Sequence, residues 1–262
     1  MNILDTIIAK KKIEVAERKR NTDIRALENG PFFKNKTLFL REYLLRKDKT
    51  GIIAEFKRKS PSKGIINNIS TVEKVTNAYA KFGASAISVL TDEEFFGGSL
   101  NDLQEATINE VPLLRKDFII DEYQLIESKA FGAEIILLIA ACLKKDEVKK
   151  FASFAKNIGL NVLLEIHNEQ ELAHICDDVD VVGVNNRDLK TFTVDINRSI
   201  ELSTQIPGGK LKISESGIDN IDSIKLLRQH GFNGFLIGER FMKEKNPGLA
   251  FQNFTEELKK DT

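Results

Sequence analysis

Short apolar runs punctuate this chain, and longer amphipathic stretches separate them. The runs fall at 52–57, 86–90, 112–116, 135–139, 162–166, 179–184, 211–215 and 234–238. Most are continuous and β-branched instead of alternating with polar residues. That pattern predicts parallel strands covered by helices. Between them, 71–82, 121–131, 144–158 and 219–230 carry apolar residues at helical spacing. Ser70, Asp121, Asn168 and Asp219 are candidate helix N-caps. Gly83, Gly132, Gly159 and Gly231 close these helical stretches just before the next strand, as left-handed caps do.

Eight strand candidates alternating with helices over about 210 residues predict an α/β fold, a (β/α)8 TIM barrel. An open doubly wound sheet would want a glycine-rich fingerprint after its first strand. Here that place holds Lys57-Arg58-Lys59-Ser60-Pro61-Ser62. Ahead of the barrel, Ile3, Leu4, Ile7, Ile8 and Val15 fit one stripe of an amphipathic helix. Residues from about 1 to 45 therefore read as an N-terminal helical extension that caps the barrel's bottom or shields its site. The barrel itself takes about 46–262. No Pro/Gly/Ser-rich linker divides the chain, so 1–262 reads as a single domain.

Charge narrows the function classes. Lys plus Arg and Asp plus Glu both count 39, so the net charge is zero. A nucleic-acid partner would call for a basic excess, and only the local Lys57-Arg58-Lys59 cluster offers one. No apolar stretch approaches the ~20 residues of a membrane helix. The N-terminus carries Asp5 and no long apolar core, which argues against a secretory signal. Cys142 and Cys176 lie in or beside apolar segments and make no disulfide framework. They read as small buried hydrophobes in a cytoplasmic, reducing setting. The charge balance is compatible with a monomer or a weak homodimer.

In such a barrel the chemistry collects at the C-terminal ends of the strands. Side chains alternate along a strand, so Glu55 and Lys57 share one face, opposite Ala54 and Phe56. Two charges on one face of a buried strand end mark a site, because desolvating them is costly without a partner or ligand. Pro61 stops this strand, and Ser60–Gly64 reads as a mobile loop. The second strand ends in Thr91 and Asp92, ahead of the loop bearing Phe95 and Phe96. The third gives Lys116 and Asp117, and the fourth nothing charged. The fifth gives Glu165, and the sixth Asn185, Asn186 and Arg187. The seventh gives Glu215, Ser216 and Gly217, and the eighth Gly238 and Glu239.

Two lysines and three glutamates thus converge on one mouth, which perturbs pKa values and supplies proton donors and acceptors. Ser216-Gly217 and Gly238-Glu239 are small enough at the right strands for backbone N–H groups to hold a phosphate. Glu239 would serve through its N–H alone. Phe96 is placed to touch an aromatic ligand. His167, His174 and His230 lack metal-ligand spacing, and no metal is expected. His230 reads as a helix C-terminal residue, and His167, just after the fifth strand, as a surface residue with the mouth as its alternative. No serine or cysteine sits in a nucleophile elbow.

These motifs resemble a known family. ILDTI at 3–7, AEFKRKSPSKG at 54–64, SVLTDEEFFGGS at 88–99 and PLLRKDFI at 112–119 run in family order. LLEIH at 163–167, GVNNRDL at 183–189, SESGI at 214–218 and FLIGE at 235–239 continue it. Together they resemble indole-3-glycerol phosphate synthase, a carbon–carbon lyase of tryptophan biosynthesis, over nearly the whole chain. Asn186 and Arg240 depart from the familiar pattern.

The resemblance implies a phosphorylated small-molecule substrate, 1-(2-carboxyphenylamino)-1-deoxyribulose 5-phosphate, and no cofactor. The ring carbon bearing the carboxylate attacks the ribulose carbonyl. Carbon dioxide leaves, then water, giving indole-3-glycerol phosphate. By the same resemblance Lys116 is the general acid of ring closure and Glu165 the general base of dehydration. Glu55 binds substrate and donates a proton in dehydration, and Lys57 holds the substrate carboxylate. The division of acid and base roles among these four stays open.

Asn185, Glu215 and Ser216 match substrate contacts by that resemblance, with Arg187 and Ser60 in support. Ser216, Gly217, Gly238 and Glu239 match the phosphate cradle, and Phe96 a ring beside the anthranilate moiety. A lysine among other cations in a partly dry site would have a lowered pKa, which would suit Lys116. A phosphate-binding isomerase or epimerase barrel is the rival enzyme, but it does not require this lysine and glutamate set. A non-enzymatic phospho-ligand module would need the cradle alone.

Overall fold

The computed structural model describes residues 3–189 and 191–260. Its centre is a closed ring of eight parallel strands. They are β1 (Ile52–Phe56), β2 (Ala86–Leu90), β3 (Leu113–Lys116) and β4 (Ile135–Ile139), then β5 (Asn161–Ile166), β6 (Val181–Asn185), β7 (Leu211–Glu215) and β8 (Gly234–Ile237). Each strand pairs with the next, and β8 pairs with β1. The predicted TIM barrel with an N-terminal helical extension is what the structure has.

The ring is stable because each strand buries both faces. Alternate residues go to different cores. Ile53, Ala86, Leu114, Ile135, Leu163, Val181, Ile213 and Leu236 fill the interior. Ala54, Phe56, Ile87, Ile136, Val162, Val182 and Phe235 pack outward against the helices. Glu55, Lys116, Glu165, Asn185 and Glu215 continue the inward parity of Ile53, Leu114, Leu163, Val181 and Ile213. The apolar interior therefore turns polar at one end, and the register holds these residues level. Asn185 pairs with Glu215, Glu165 with Ile139, and Lys116 with Leu90.

The extension serves both ends of the barrel. The short helix Leu40–Leu45 closes the bottom by inserting Leu40 and Leu44 into the interior cluster. Asn161 at the start of β5 anchors it, accepting from Leu40 N at 3.3 Å and donating to Leu38 O at 3.0 Å. The long helix α1 (Ile3–Asn21) instead lies at the mouth.

Helix boundaries differ from expectation by a residue or two. The first barrel helix, Val72–Lys81, is preceded by Thr71 as N-cap, not Ser70. Asn220 rather than Asp219 caps Ile221–Gln229, accepting from Ser223 N. Asp121 and Asn168 cap as expected. All four glycines before the strands are left-handed. Lys57 falls just past the end of β1. The loop after it is partly ordered by the two-residue pairing of Lys59–Ser60 with Gly64–Ile65. Cys142 and Cys176 are free and half-buried, where full burial was expected, because each sits at the edge of the core. Cys142 is at the end of the short helical turn Ala140–Cys142, and Cys176 is just past the turn Glu169–His174. Among the described residues, no helix is long and apolar enough to cross a membrane.

Leu40 is fully buried, and its removal would leave a void at the barrel floor. Leu40→Ala should destabilise the protein by about 2–5 kcal/mol, read from chemical denaturation. An unchanged midpoint would show that the bottom helix does not support the barrel.

Candidate active site

One cavity of about 510 Å³ opens at the C-terminal ends of the strands. Glu55, Lys57, Ser60, Phe96, Lys116, Glu165, Asn185, Arg187, Glu215, Ser216, Gly217, Gly238 and Glu239 all line it. Residues separated by up to 184 positions in sequence are thus brought together by strand order alone (239 − 55).

At the floor, the Lys116 ammonium lies 2.7 Å from Glu165 Oε2 and 2.8 Å from Glu215 Oε2. Burial works against this cation. Glu165, Glu215 and Glu55 outweigh burial and hold its pKa above the ordinary lysine value. This corrects the expected depression: the neighbours are carboxylates, not cations. Lys57 is not beside Lys116 as a competing charge, because it pairs with Glu55 Oε1 at 2.8 Å.

The two carboxylates at Lys116 diverge. Burial opposes the Glu165 anion, but Lys116 and His167 hold its pKa well below the usual range. Asn185 Nδ2 donates to Glu165 Oε1 at 3.1 Å and fixes its plane. Glu215 is pushed up to about 7 by burial, with Glu165 and Glu55 adding repulsion. One ammonium thus sits between a carboxylate that stays ionised and one that readily takes a proton.

Two glycines make room for this packing. A Cβ on Gly183 would lie 2.2 Å from Glu215 Oε1, and one on Gly238 would lie 2.5 Å from Glu55 Oε1. Gly238 therefore accommodates the Glu55 carboxylate as well as lining the expected cradle.

Ser216 and Gly217 form the turn after β7, both with positive φ of 70° and 72°. Ser216 is strained there, and Asn186 holds it by donating to Ser216 O at 3.0 Å. Asn186 is itself fixed by Ser214 and Ser199. Across the cavity, Arg187 lies 3.5 Å and Lys63 3.8 Å from Glu239. The Glu239 charge is thereby matched by two cations, and this end of the cavity has basic side chains available to an anion.

Of the apolar wall, Phe96 was expected and Phe118 was not. Phe118 lies 6.1 Å from Phe96, ring centre to ring centre, and Ile3, Leu4 and Ile7 of α1 complete that side. Phe118 follows Lys116 by two, so its place beside a site was available in the spacing.

Lys11 of α1 was missed outright. It is only 1% exposed and bonds Glu14, Asp92 and Asp117 at 2.8, 2.9 and 2.9 Å. Asp117 also meets the fully buried Arg115, which pairs with Glu127, and Glu127 pairs with Arg18 of α1. Burial opposes the Asp117 anion, but Lys11 and Arg115 hold its pKa below the usual range. Its position midway between Ile7 and Val15 on the apolar stripe was the available signal. His167 is likewise buried, not on the surface, because Glu165 and Glu171 flank its ring. Among the described residues no group of His, Cys, Asp and Glu could hold a metal ion.

The sequence model of the family described as indole-3-glycerol phosphate synthase matches residues 4–254. The chain belongs to the indole-3-glycerol phosphate synthase family. With membership comes the family's carboxy-lyase reaction in tryptophan biosynthesis. An indole-3-glycerol phosphate synthase of Bacteroides thetaiotaomicron is 47% identical over 254 residues, covering 97% of each chain. One of Thermoanaerobacter pseudethanolicus is 42% identical over 98% of each.

Solved structures show the same fold at far lower identity. A tryptophan synthase complex of Pyrococcus furiosus has a chain that aligns with a TM-score of 0.60 at 15% identity, over 81% of this chain and 99% of that one. A 3-hexulose-6-phosphate synthase of Salmonella typhimurium aligns at 0.62 and 10% identity, over 81% of this chain and 100% of its own.

Helix α1 is pinned by Lys11 to Asp92 and Asp117. Lys11→Met would leave three carboxylates without their shared cation. It should cost about 3–5 kcal/mol. Amide exchange over residues 3–21 should accelerate. Unchanged exchange in a stable variant would show that Lys11 does not hold α1.

Proposed function

We propose that this mouth performs the family's ring closure, decarboxylation and dehydration with Lys116, Glu165, Glu55 and Lys57 as its acid–base set. The observation that carries the assignment is the Lys116 ammonium held between Glu165 and Glu215 at the cavity floor. The substrate phosphate goes to the backbone of Ser216, Gly217, Gly238 and Glu239, with Arg187 and Ser60 beside it. The substrate carboxylate goes to Lys57. The anthranilate ring lies against Phe96, with Phe118 and Ile7 behind it. Asn185 and Glu215 meet the polar groups of the ribulose chain.

Ring closure puts negative charge on the carbonyl oxygen as the carbon–carbon bond forms. Lys116 donates its proton to that oxygen. A raised pKa suits the role, because the ammonium is fully protonated at rest and the nascent alkoxide is the stronger base. Loss of carbon dioxide restores the aromatic ring. Decarboxylation consumes one proton, which Glu55 takes up from solvent and gives to the departing hydroxyl. Glu165 takes a proton from the carbon next to nitrogen and returns it to Lys116 across their 2.7 Å contact, and water leaves. Glu165 must be ionised for this step, which agrees with its depressed pKa.

We read the enzyme as cytoplasmic, a setting suited to its two free thiols. It acts as a monomer or a weak homodimer, with extension and barrel working as one domain.

Purified protein given the carboxyphenylamino substrate should develop indole fluorescence, and a folded preparation that yields none contradicts the assignment. In the same assay Lys116→Ala should lose roughly 10²–10⁴-fold in rate. Full rate in that variant would remove Lys116 from the acid role. Gly183→Ala should push Glu215 off Lys116 and lower kcat about 10²-fold with thermal unfolding little changed. An unaffected kcat would show that the Glu215 position is not needed.

A further inference from the structure

Glu165 has two oxygens with different partners. Oε2 faces Lys116, and Oε1 faces Asn185 Nδ2 and, at 3.3 Å, His167 Nε2. His167 is 6% exposed. Its Nδ1 lies 3.3 Å from Glu171 Oε2, which also accepts the His167 backbone N–H at 2.7 Å. Glu171 is in turn held by Asn168, which donates to its Oε1 at 2.7 Å and accepts from its backbone N–H. The result is a carboxylate–imidazole–carboxylate line, rooted in the turn after β5 and ending on the base of the reaction.

Among the described residues, no other ion pair reaches the Glu171 carboxylate. Cys142 packs near both carboxylates, but burial and those two charges push its thiol pKa up, so it stays neutral. The His174 ring nitrogens face the backbone carbonyls of Glu171 and Leu143, not the Glu171 carboxylate. Lys116 and Glu215 lie on the Oε2 side. With a neutral imidazole between buried Glu165 and half-buried Glu171, the second carboxylate would have no counter-charge among the described residues.

We propose that His167 is a positioning residue: as an imidazolium clamped by Glu171, it aims Glu165 and keeps that carboxylate ionised after Lys116 has given up its proton. This rests on the reading of Glu165 as the general base. The timing gives the device its use. Once Lys116 has donated during ring closure, Glu165 loses the cation at Oε2, and burial alone would favour its protonation. His167 is the charge that remains when dehydration calls for a free base. Burial disfavours the imidazolium, but Glu165 and Glu171 raise its pKa to about 9, which agrees with a cation at neutral pH.

Histidine ¹⁵N NMR of the whole protein tests this without reference to turnover. The chain has three histidines, so the signal lost in His167→Gln identifies the ring. It should stay protonated past pH 8, and Glu171→Gln should lower its midpoint by roughly one unit or more. Titration near the free-histidine value of ~6.5 overturns the proposal.

Kinetics supply the second arm. Removing the cation raises the Glu165 pKa, so the acid limb of kcat against pH should move up by roughly one unit in His167→Gln. The kcat should fall roughly 10- to 100-fold while KM stays within about twofold. Glu171→Gln should move the limb the same way by less, and it serves if the histidine variant does not fold. An unmoved limb in both variants, with Glu165→Gln inactive, overturns the positioning role alone. Full activity in Glu165→Gln would remove the base assignment itself.

Discussion

Buried charges survive only in sets that nearly balance, and the Lys116 contact with Glu165 and Glu215 is the set on which this barrel's mouth is built. An unpaired carboxylate in that place would protonate, and an unpaired ammonium would lose its proton. Held together, they stay charged or poised, within hydrogen-bond reach of one another. The neighbouring backbone is shaped to allow it. Gly183 and Gly238 lack the Cβ that would strike Glu215 and Glu55. Strand parity does the rest, carrying the inward face from Ile53 to Glu55 and from Leu163 to Glu165.

The three consecutive residues at the end of β3 divide the labour. Arg115 and Asp117 join the ion network of Lys11, Glu127 and Arg18, while Lys116 faces the cavity. One network fastens α1 to the barrel, and the other carries the proposed chemistry. Ile3, Leu4 and Ile7 reach the cavity because Lys11 fastens their helix. A structural charge cluster and a reactive one are thereby separated by a single peptide unit, with opposite demands. The first must never change protonation, and Asp117 accordingly sits well below the carboxylate range. In the proposed mechanism the second changes it in every turnover, through Lys116 and Glu165, while Glu215 beside them is pushed up to about 7 by burial.

The barrel was legible because parallel strands bury both faces, so apolar runs such as 135–139 cannot belong elsewhere. Glu55 and Lys57 were legible as a site because their parity sets them against the apolar rule. The bed of the reactive lysine was not. Lys116 was expected among cations, yet which charge lies nearest depends on rotamers and on Lys57 turning to Glu55. Lys11 hid within the run Lys10-Lys11-Lys12, where charge normally means solvent, and its partners Asp92 and Asp117 are 81 and 106 residues away. His167 was read as exposed because a residue just past a strand usually is. Its partner Glu171 is only four residues on, but the turn that folds it back has no apolar signature.

The protonation state of Lys116 tests the central contact most directly. With ¹⁵N-labelled lysine, the Lys116 Nζ signal can be identified by its loss on substitution and followed against pH. The balanced set predicts that this ammonium remains protonated beyond the ordinary lysine value of 10.5, and that Glu215→Gln and Glu165→Gln each lower its midpoint. A midpoint below the ordinary value, unmoved by either substitution, would mean that these carboxylates do not hold it.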